Sequence, residues 1–335
     1  MTAPTPPTRP QLTADILGEP WVARRIPVTE SDAAPGADHA VLVHQRGAVP
    51  APGAAPRHDR AVLYLHGRND YFFQTWLADA LLEAGYEFYA LDLRTCGRAG
   101  AGYWSPHDVR DLRVHDEEIG EALRIIRSEH GHDVVVLNGH STGGLQAVIW
   151  AADHPGTVDA VVLNSPWLDL RGSALVRSYG SALVDLLSRR DPERVIGEPG
   201  SGEEDNYVAA LHRRWRGEWD WDLVLKPAPS FPVRAGFLAG IRRLQREVHH
   251  GLGIRVPILV CCSTVSGGAK ASLEEAQRSD VVLDVEQIID RSQYLGDDVT
   301  VRQIPDGVHD LALSGPLARA EYLQAVMHWL DNRLH

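Results

Sequence analysis

The chain has 335 residues, 44% of them hydrophobic, so it can bury one large core and is neither fibrous nor disordered. Its 33 basic and 45 acidic side chains give a formal net charge of -12. The protein therefore lacks the overall positive charge that attracts nucleic acids or anionic membranes. The three cysteines form no disulfide framework and favour a reducing compartment. We therefore expect a cytoplasmic protein that acts on a small molecule, without nucleic-acid partners or stable membrane insertion. Its oligomeric state stays open.

The N-terminal segment is rich in proline and threonine and has no apolar stretch, so residues 1–18 are predicted to be a disordered tail. Two strands follow, and further along the chain short apolar strands alternate with helices. The strands are predicted at 21–29, 39–45, 61–65, 87–91, 133–137, 158–163, 256–262 and 299–304, and helices at 73–84, 109–130 and 315–330. Continuous apolar strands that alternate with helices predict an α/β fold, with a mostly parallel eight-stranded sheet and helices on both faces.

The alternation stops between residues 166 and 253, in a stretch that has four tryptophans and several prolines but no clear apolar strand. We predict that residues 166–253 form a largely helical cap insertion over the carboxyl edge of the sheet, while residues 19–165 and 254–335 form the core. The candidate substrate-binding residues of this cap are Trp215, Trp219 and Trp221. The alternative is that these tryptophans belong to the cap's own core.

The sequence LNGHSTGGLQ, at residues 137–146, places a serine between glycines, directly after an apolar strand and before a helix-compatible run. It fits the G-x-S-x-G pattern, in which a strand turns sharply into a helix and holds the serine at the apex. Glycines are needed there because side chains would collide with the neighbouring strand and helix. Ser141 is therefore the candidate nucleophile, and a glycine-rich turn or helix cap is the plainer alternative.

A serine hydroxyl needs an imidazole base, and that base needs a carboxylate that fixes its tautomer. His309 is the candidate base, because it follows the last predicted strand, and active sites of parallel sheets lie at the carboxyl ends of the strands. For the acid, the sequence SDVVLDVEQI offers Asp280 and Asp284. Asp280 lies on the loop and is our assignment, whereas Asp284 fits the N-cap of the next helix. The sequence leaves the choice between them open.

A hydrolase of this kind also holds the oxyanion of the tetrahedral intermediate with two backbone N–H groups. The residue after the nucleophile, Thr142, supplies one of them. The second is expected from the loop after an earlier strand, where the sequence LYLHGRND turns at Gly67 and presents the N–H of Arg68. Such chemistry needs no metal and no organic cofactor.

Four motifs occur in a characteristic order, and they are LHG at 65–67, GHSTGG at 139–144, DVV at 280–282 and GVHD at 307–310. With these motifs the chain resembles the α/β-hydrolase superfamily, and within it the serine aminopeptidase S33 and lysophospholipase or monoacylglycerol-lipase-like group. The resemblance spans about residues 20–332. It implies an α/β-hydrolase fold and the same triad and oxyanion residues as those assigned above. The loop RTCGRAG departs from the family's usual sequence at three positions without touching these roles.

These features predict a serine hydrolase that cleaves a carboxylic ester of a small or acyl-chain substrate through an acyl-enzyme on Ser141. The alternatives on the same fold are an aminopeptidase or amidase, a thioesterase, and a binding protein that keeps the triad without turnover. An aminopeptidase needs carboxylates for the substrate's amino group, and the candidates are Glu218, Asp220 and Asp222. Solvated surface charge is the plainer explanation of these three acidic residues.

Overall fold

A nine-stranded sheet runs through the protein, as seen in a computed structural model that describes residues 11–51, 54–171, 183–196, 206–268 and 271–334. The strands are β1 (Leu12–Ala14), β2 (Trp21–Pro27), β3 (His39–Gln45), β4 (Arg60–Leu65), β5 (Tyr86–Asp92), β6 (Val134–His140), β7 (Ala160–Asn164), β8 (Ile258–Ser263) and β9 (Val299–Ile304). Their order across the sheet is β1-β2-β3-β5-β4-β6-β7-β8-β9. The pairs from β1 to β5 are antiparallel, and those from β5 to β9 are parallel, as predicted for most of the sheet.

The central strands are buried on both faces because their sequences are mostly apolar. Every residue of β5, β7 and β8 is buried. Strand β4 pairs in parallel with β5 and β6, and its last residue, Leu65, lies opposite Leu91 of β5 and Gly139 of β6. The carboxyl ends of these strands therefore reach one edge of the sheet together, and the loops that follow them lie close to one another.

Helices cover both faces of the sheet. They are α1 (Thr75–Glu83), α2 (Asp116–Arg124), α3 (Thr142–Asp153), α4 (Asn206–Leu211), α5 (Ala235–His250), α6 (Leu273–Ala276), α7 (Val285–Ser292) and α8 (Pro316–Arg333). Helices α1 and α8 pack on one face, where Leu77 and Leu330 are buried in the same apolar cluster. Helices α2, α3, α5 and α7 supply buried side chains to the cluster on the other face. In the described ranges, no helix has the length and apolar character needed to cross a membrane.

The first strand corrects the predicted number of strands and the predicted extent of the tail. Strand β1 pairs antiparallel with β2, so the described sheet has nine strands rather than eight. Asp15, which follows β1, forms an ion pair of 2.6 Å with Arg98. Within the tail predicted at 1–18, only residues 1–10 lie outside the described residues. Strand β1 gave no signal in the sequence because it has three residues, none of them buried, and is held by strand pairing.

The single helix predicted over residues 109–130 is divided into three segments. A 3-10 turn spans Leu112–His115, α2 follows, and a π-helical segment spans Ile125–Glu129. The side chain of Asp111 accepts a hydrogen bond from the N–H of Arg113 and begins the first of these segments. The apolar period is similar in all three, so the pattern could not reveal the divisions.

The chain leaves the sheet between β7 and β8, in the region predicted as a cap at 166–253. The described part of this region is helical at 183–190, in α4 and in α5. Helix α5 contributes to the core, because Ile241 and Leu244 are buried in the same cluster as the strands. Helix α5 thus packs directly on the core, and the boundaries of the cap at 166–253 stay a prediction.

Candidate active site

Ser141 lies in the turn between strand β6 and helix α3. Its backbone has φ 53° and ψ -115°, a conformation that residues with a side chain rarely adopt. The turn needs glycines because the backbone segments nearly touch. A Cβ on Gly143 would lie 2.3 Å from the carbonyl oxygen of Leu65, and one on Gly139 would lie 2.5 Å from that of Gly143. The structure thus has the strand, turn and helix that the G-x-S-x-G pattern requires.

Gly143→Ala should disrupt this turn. The added methyl group would overlap backbone atoms at the end of strand β4, which cannot move without displacing the sheet. We expect the free energy of unfolding to fall by about 3 kcal/mol. Gly47→Ala is the matched control, since its nearest contact would be the Arg57 side chain at 3.7 Å. Urea unfolding measures both variants, and equal stabilities would contradict the steric argument.

Ser141, His309 and Asp280 form a hydrogen-bonded chain. Ser141 Oγ lies 3.0 Å from His309 Nε2, and His309 Nδ1 lies 2.9 Å from Asp280 Oδ2. The three residues follow β6, β9 and β8 respectively, so all of them stand at the carboxyl edge of the sheet. The structure therefore brings together the three side chains that the sequence singled out, with the imidazole between the hydroxyl and the carboxylate.

The two aspartates offered by the sequence have different partners. Asp280 is fully buried, and its Oδ1 accepts two hydrogen bonds from backbone N–H groups of its own loop, at 2.8 and 2.7 Å. Burial acts to raise the pKa of Asp280, but the interaction with His309 and these donors outweighs it, so the pKa lies below its usual value. Asp284 instead caps helix α7 by accepting a hydrogen bond of 3.2 Å from the N–H of Glu286. The carboxylate that contacts His309 is therefore that of Asp280.

The two N–H groups expected to hold an oxyanion belong to residues beside Ser141. Thr142 is the first residue of α3, and Arg68 lies in the loop after β4. Within the described ranges, neither backbone N–H donates to a protein acceptor. The loop comes close because Gly67 has no side chain, and a Cβ there would lie 3.1 Å from the Cβ of Ser141. Both N–H groups are thus left for a ligand.

The loop that carries Arg68 is held by contacts that no sequence motif indicates. Asn69 makes two side-chain hydrogen bonds with the backbone of residues 227–231, at 3.0 and 3.1 Å. Asp70 and Lys226 form a buried ion pair of 2.7 Å. The partners in this pair are separated by 156 residues, so no local pattern signals them. These contacts fix the loop to the segment between β7 and β8.

A cavity of about 440 Å³ opens over Ser141 and His309. Among the described residues, its apolar wall includes Trp167, Leu170, Val208, Val233, Val282 and Leu283. The ring of Tyr207 packs edge to face on the ring of His309, with centroids 5.9 Å apart. The arrangement can hold an apolar group beside a serine hydroxyl, in a cavity whose volume is typical of small-molecule sites.

The three tryptophans predicted to bind substrate, Trp215, Trp219 and Trp221, do not line this cavity. They belong to a separate apolar cluster, in which Trp219 stacks on Trp76 with centroids 4.3 Å apart. Their placement corrects the prediction, because this part of the chain needs large side chains to fill its own apolar cluster. The tryptophan at the cavity is Trp167, which was not among the predicted substrate-binding residues.

The acidic residues considered for binding an amino group also lie away from the cavity. Glu218, Asp220 and Asp222 are all exposed. Asp220 pairs with Arg213 at 2.5 Å, and Glu218 pairs with Arg319 at 3.4 Å. Such surface pairs contribute little to stability. Their exposure agrees with the alternative that these residues are solvated surface charges.

Three buried side chains converge behind the triad. Ligand-type atoms of Asp70, His140 and Asp310 lie within 4.8 Å of one another. Asp310 accepts hydrogen bonds from the side-chain amides of Gln74 and Asn164, at 3.0 and 2.7 Å. Burial acts to raise the pKa of Asp310, but the electrostatic interactions with His140 and Lys226 and the two amide donors outweigh it, so the pKa lies below its usual value. Because these groups already have partners, we interpret the cluster as a hydrogen-bonded support for the site rather than as a metal centre.

A family model described as "Serine aminopeptidase, S33" matches residues 56–313 of the chain. The chain belongs to the serine aminopeptidase S33 family. This confirms the resemblance that the sequence motifs indicated. No curated protein is similar enough to this S33 family member to count as a match.

Solved structures agree with the family on the fold. The monoacylglycerol lipase of Paleococcus ferrophilus matches with a TM-score of 0.58 and 18% identity, over 82% of this chain and 94% of that chain. A carboxyl esterase from Bacillus coagulans, in complex with glycerol, matches with a TM-score of 0.62 and 14% identity, over 93% of this chain and 99% of that chain. A soluble variant of monoglyceride lipase from Saccharomyces cerevisiae matches with a TM-score of 0.59 and 14% identity, over 97% of each chain. At such identities the likeness establishes the α/β-hydrolase fold.

Proposed function

We propose that this S33 family member is a serine hydrolase that cleaves carboxylic esters through an acyl-enzyme on Ser141. The observation that supports it is the hydrogen-bonded chain of Ser141, His309 and Asp280 at the base of a cavity of about 440 Å³. A hydroxyl at the apex of a strained turn, beside an imidazole that a carboxylate orients, is what acyl transfer requires. The apolar wall of the cavity suits the acyl chain of an ester.

In the first half of the proposed reaction, His309 Nε2 takes the proton of Ser141 as the serine oxygen bonds to the carbonyl carbon. Asp280 accepts the Nδ1–H of His309, which leaves Nε2 free to act as the base. The N–H groups of Arg68 and Thr142 hold the oxyanion, and the loss of one such donor typically costs about 2.7–4 kcal/mol. The intermediate then collapses, the leaving alcohol takes the proton from His309, and the acyl group stays on Ser141.

The second half of the proposed reaction repeats these steps with water. His309 takes a proton from a water molecule as its oxygen bonds to the acyl carbon, and the same two N–H groups hold the second oxyanion. Collapse of this intermediate returns the proton to Ser141 Oγ and releases the carboxylic acid. The enzyme regains its starting state without a metal or an organic cofactor.

Acyl-chain selectivity is expected to come from Trp167. Trp167→Ala enlarges the cavity, so we expect the preferred acyl chain to become longer, with each methylene group contributing about 1–3 kcal/mol. Trp219→Ala is the matched control, because Trp219 packs outside the cavity. Values of kcat/KM for p-nitrophenyl esters from acetate to laurate measure the shift. The same profile for Trp167→Ala and the unchanged protein would contradict this assignment.

Because the family is described as serine aminopeptidases, hydrolysis of a peptide is the main alternative to hydrolysis of an ester. An aminopeptidase needs a carboxylate that binds the substrate's free amino group. Among the described residues that line the cavity, Asp70 is the one carboxylate, and Lys226 already pairs with it. This pairing supports an ester over a peptide substrate.

A panel of p-nitrophenyl esters, acyl thioesters and aminoacyl anilides tests the proposal. We expect turnover of the esters, with kcat/KM well above that of the anilides. Faster hydrolysis of the anilides would assign the protein to the aminopeptidases. If no member of the panel is turned over, the protein is a binding protein that retains the triad.

A further inference from the structure

The last residue of strand β7, Asn164, contacts both the turn that carries Ser141 and the loop that carries His309. It is buried, with 1% of its surface exposed. In the part of the chain that the structure describes, the wall of the cavity over Ser141 does not include it. A substrate in this cavity is therefore not expected to contact Asn164, whose polar groups bind the protein instead.

The backbone carbonyl of Asn164 holds the turn of the nucleophile. Its oxygen accepts hydrogen bonds from the N–H of Ser141 at 3.0 Å and from Nδ1 of His140 at 3.1 Å. Because a carbonyl oxygen only accepts, the proton of a neutral His140 ring lies on Nδ1. This ring packs against that of His309, with centroids 4.9 Å apart. The carbonyl thus fixes the backbone of Ser141 and the ring beside the candidate base.

The side-chain amide of Asn164 holds the loop of His309. Its Nδ2 donates to Oδ1 of Asp310 at 2.7 Å, and its Oδ1 accepts from the N–H of Leu311 at 3.1 Å. A flipped amide would turn its NH₂ group toward that N–H and its oxygen toward the carboxylate, so the two contacts allow one orientation. Both partners are buried, and each would lack a hydrogen bond without Asn164.

We propose that Asn164 is a positioning residue that sets the distance between Ser141 Oγ and His309 Nε2, which is 3.0 Å. Its backbone binds Ser141 itself, and its side chain binds the two residues that directly follow His309. One residue therefore connects the two partners of the proposed proton transfer. The inference rests on the proposed function, because this distance matters only where His309 takes the proton of Ser141.

Asn164→Asp tests the proposal with little change in size. The variant turns the donor to Asp310 into a carboxylate oxygen, and two carboxylates at hydrogen-bond distance repel each other. The loop of His309 should then move away from Ser141. We expect kcat for p-nitrophenyl butyrate to fall about 10²-fold while KM stays within about 3-fold, because the cavity is kept. An unchanged kcat, or a change confined to KM, would overturn the proposal.

Asn138→Asp is the matched control, because Asn138 is also a buried asparagine of the sheet. Its amide donates to the carbonyl oxygen of Val162 at 3.2 Å and, among the described residues, to neither loop of the triad. We expect a lower melting temperature in both variants, but a kcat of Asn138→Asp within about 3-fold of that of the unchanged protein. Equal losses of kcat in the two variants would overturn the proposal, since a disturbance of the sheet would then explain both.

A reciprocal variant, Asn164→Asp combined with Asp310→Asn, exchanges donor and acceptor. The amide at position 310 then donates to the carboxylate at position 164, which still accepts from the N–H of Leu311. We expect kcat to recover to within about 10-fold of that of the unchanged protein, and no recovery would overturn the proposal. If Asn164→Asp does not fold, Asn164→Ser is judged by the same kcat and KM, because it adds no charge and is too short to reach both partners.

The rate of labelling by a fluorophosphonate separates this inference from the proposed function. Labelling requires that His309 activates Ser141, but it requires no ester. We expect Asn164→Asp to react about 10²-fold more slowly than the unchanged protein, and Asn138→Asp to react at nearly the unchanged rate. If the unchanged protein is labelled but hydrolyses no ester, the proposed function fails while these rates still test Asn164. Equal rates for Asn164→Asp and the unchanged protein would overturn the inference.

Discussion

Ser141→Ala is expected to lose all measurable ester hydrolysis while it keeps the fold and stability of the unchanged protein. The substitution removes one oxygen atom from the apex of a turn, so little packing is lost. Without that oxygen no acyl-enzyme can form, and removal of the nucleophile from a serine triad typically lowers kcat by about 10⁶-fold. Stopped assays with p-nitrophenyl butyrate and thermal unfolding of the purified variant measure the two expectations.

Ser230→Ala is the matched control for this experiment. Ser230 lines the same cavity, but its hydroxyl is not in the hydrogen-bonded chain with His309. We expect its kcat to stay within about 3-fold of that of the unchanged protein. Retained hydrolysis in Ser141→Ala, or an equal loss in both variants, would contradict the assignment of Ser141 as nucleophile.

Asp280→Asn is expected to have the second-largest effect, lowering kcat by up to about 10⁴-fold. An asparagine amide donates to His309 Nδ1 where the carboxylate accepts, and the imidazole proton then moves to Nε2. In that tautomer Nε2 cannot take the proton of Ser141. The Oδ1 atom and its two backbone donors are kept, so the loop should remain folded.

Asp284→Asn makes the same chemical change four residues along the chain. Asp284 caps helix α7, and asparagine is as good an N-cap, so we expect a stability loss below about 1 kcal/mol and nearly unchanged kcat. Steady-state kinetics of the two variants at one pH compare them. If Asp284→Asn is the inactive variant, the acid of the triad is wrongly assigned.

The sequence predicts most of the sheet because its signals are local. The strands that surround Ser141 are continuous apolar runs, and the glycines on either side of it follow from the backbone contacts of a single turn. The order of the motifs along the chain then places Asp280 and His309 at the same edge. Within the triad, the choice between Asp280 and Asp284 needed the structure, because a loop residue and a helix cap look alike in sequence.

The sequence could not place the residues whose partners lie far along the chain. Trp167 and Trp219 are equally apolar, and only the folded chain decides which of them meets the cavity and which stacks on Trp76. The ion pair of Asp70 and Lys226 could not be predicted either, because its two residues lie far apart in the sequence and a buried charge needs a partner. Long-range contacts of this kind determine the shape of the cavity, so substrate selectivity is the least predictable part of the site.

Labelling with a fluorophosphonate, followed by mapping of the modified peptide by tandem mass spectrometry, decides whether Ser141 is the nucleophile. The reagent phosphonylates an activated serine and leaves ordinary serines unmodified. We expect one adduct per chain, on Ser141, and a loss of esterase activity in proportion to the fraction labelled. An adduct on another residue, or full ester hydrolysis by the completely labelled protein, would contradict this assignment.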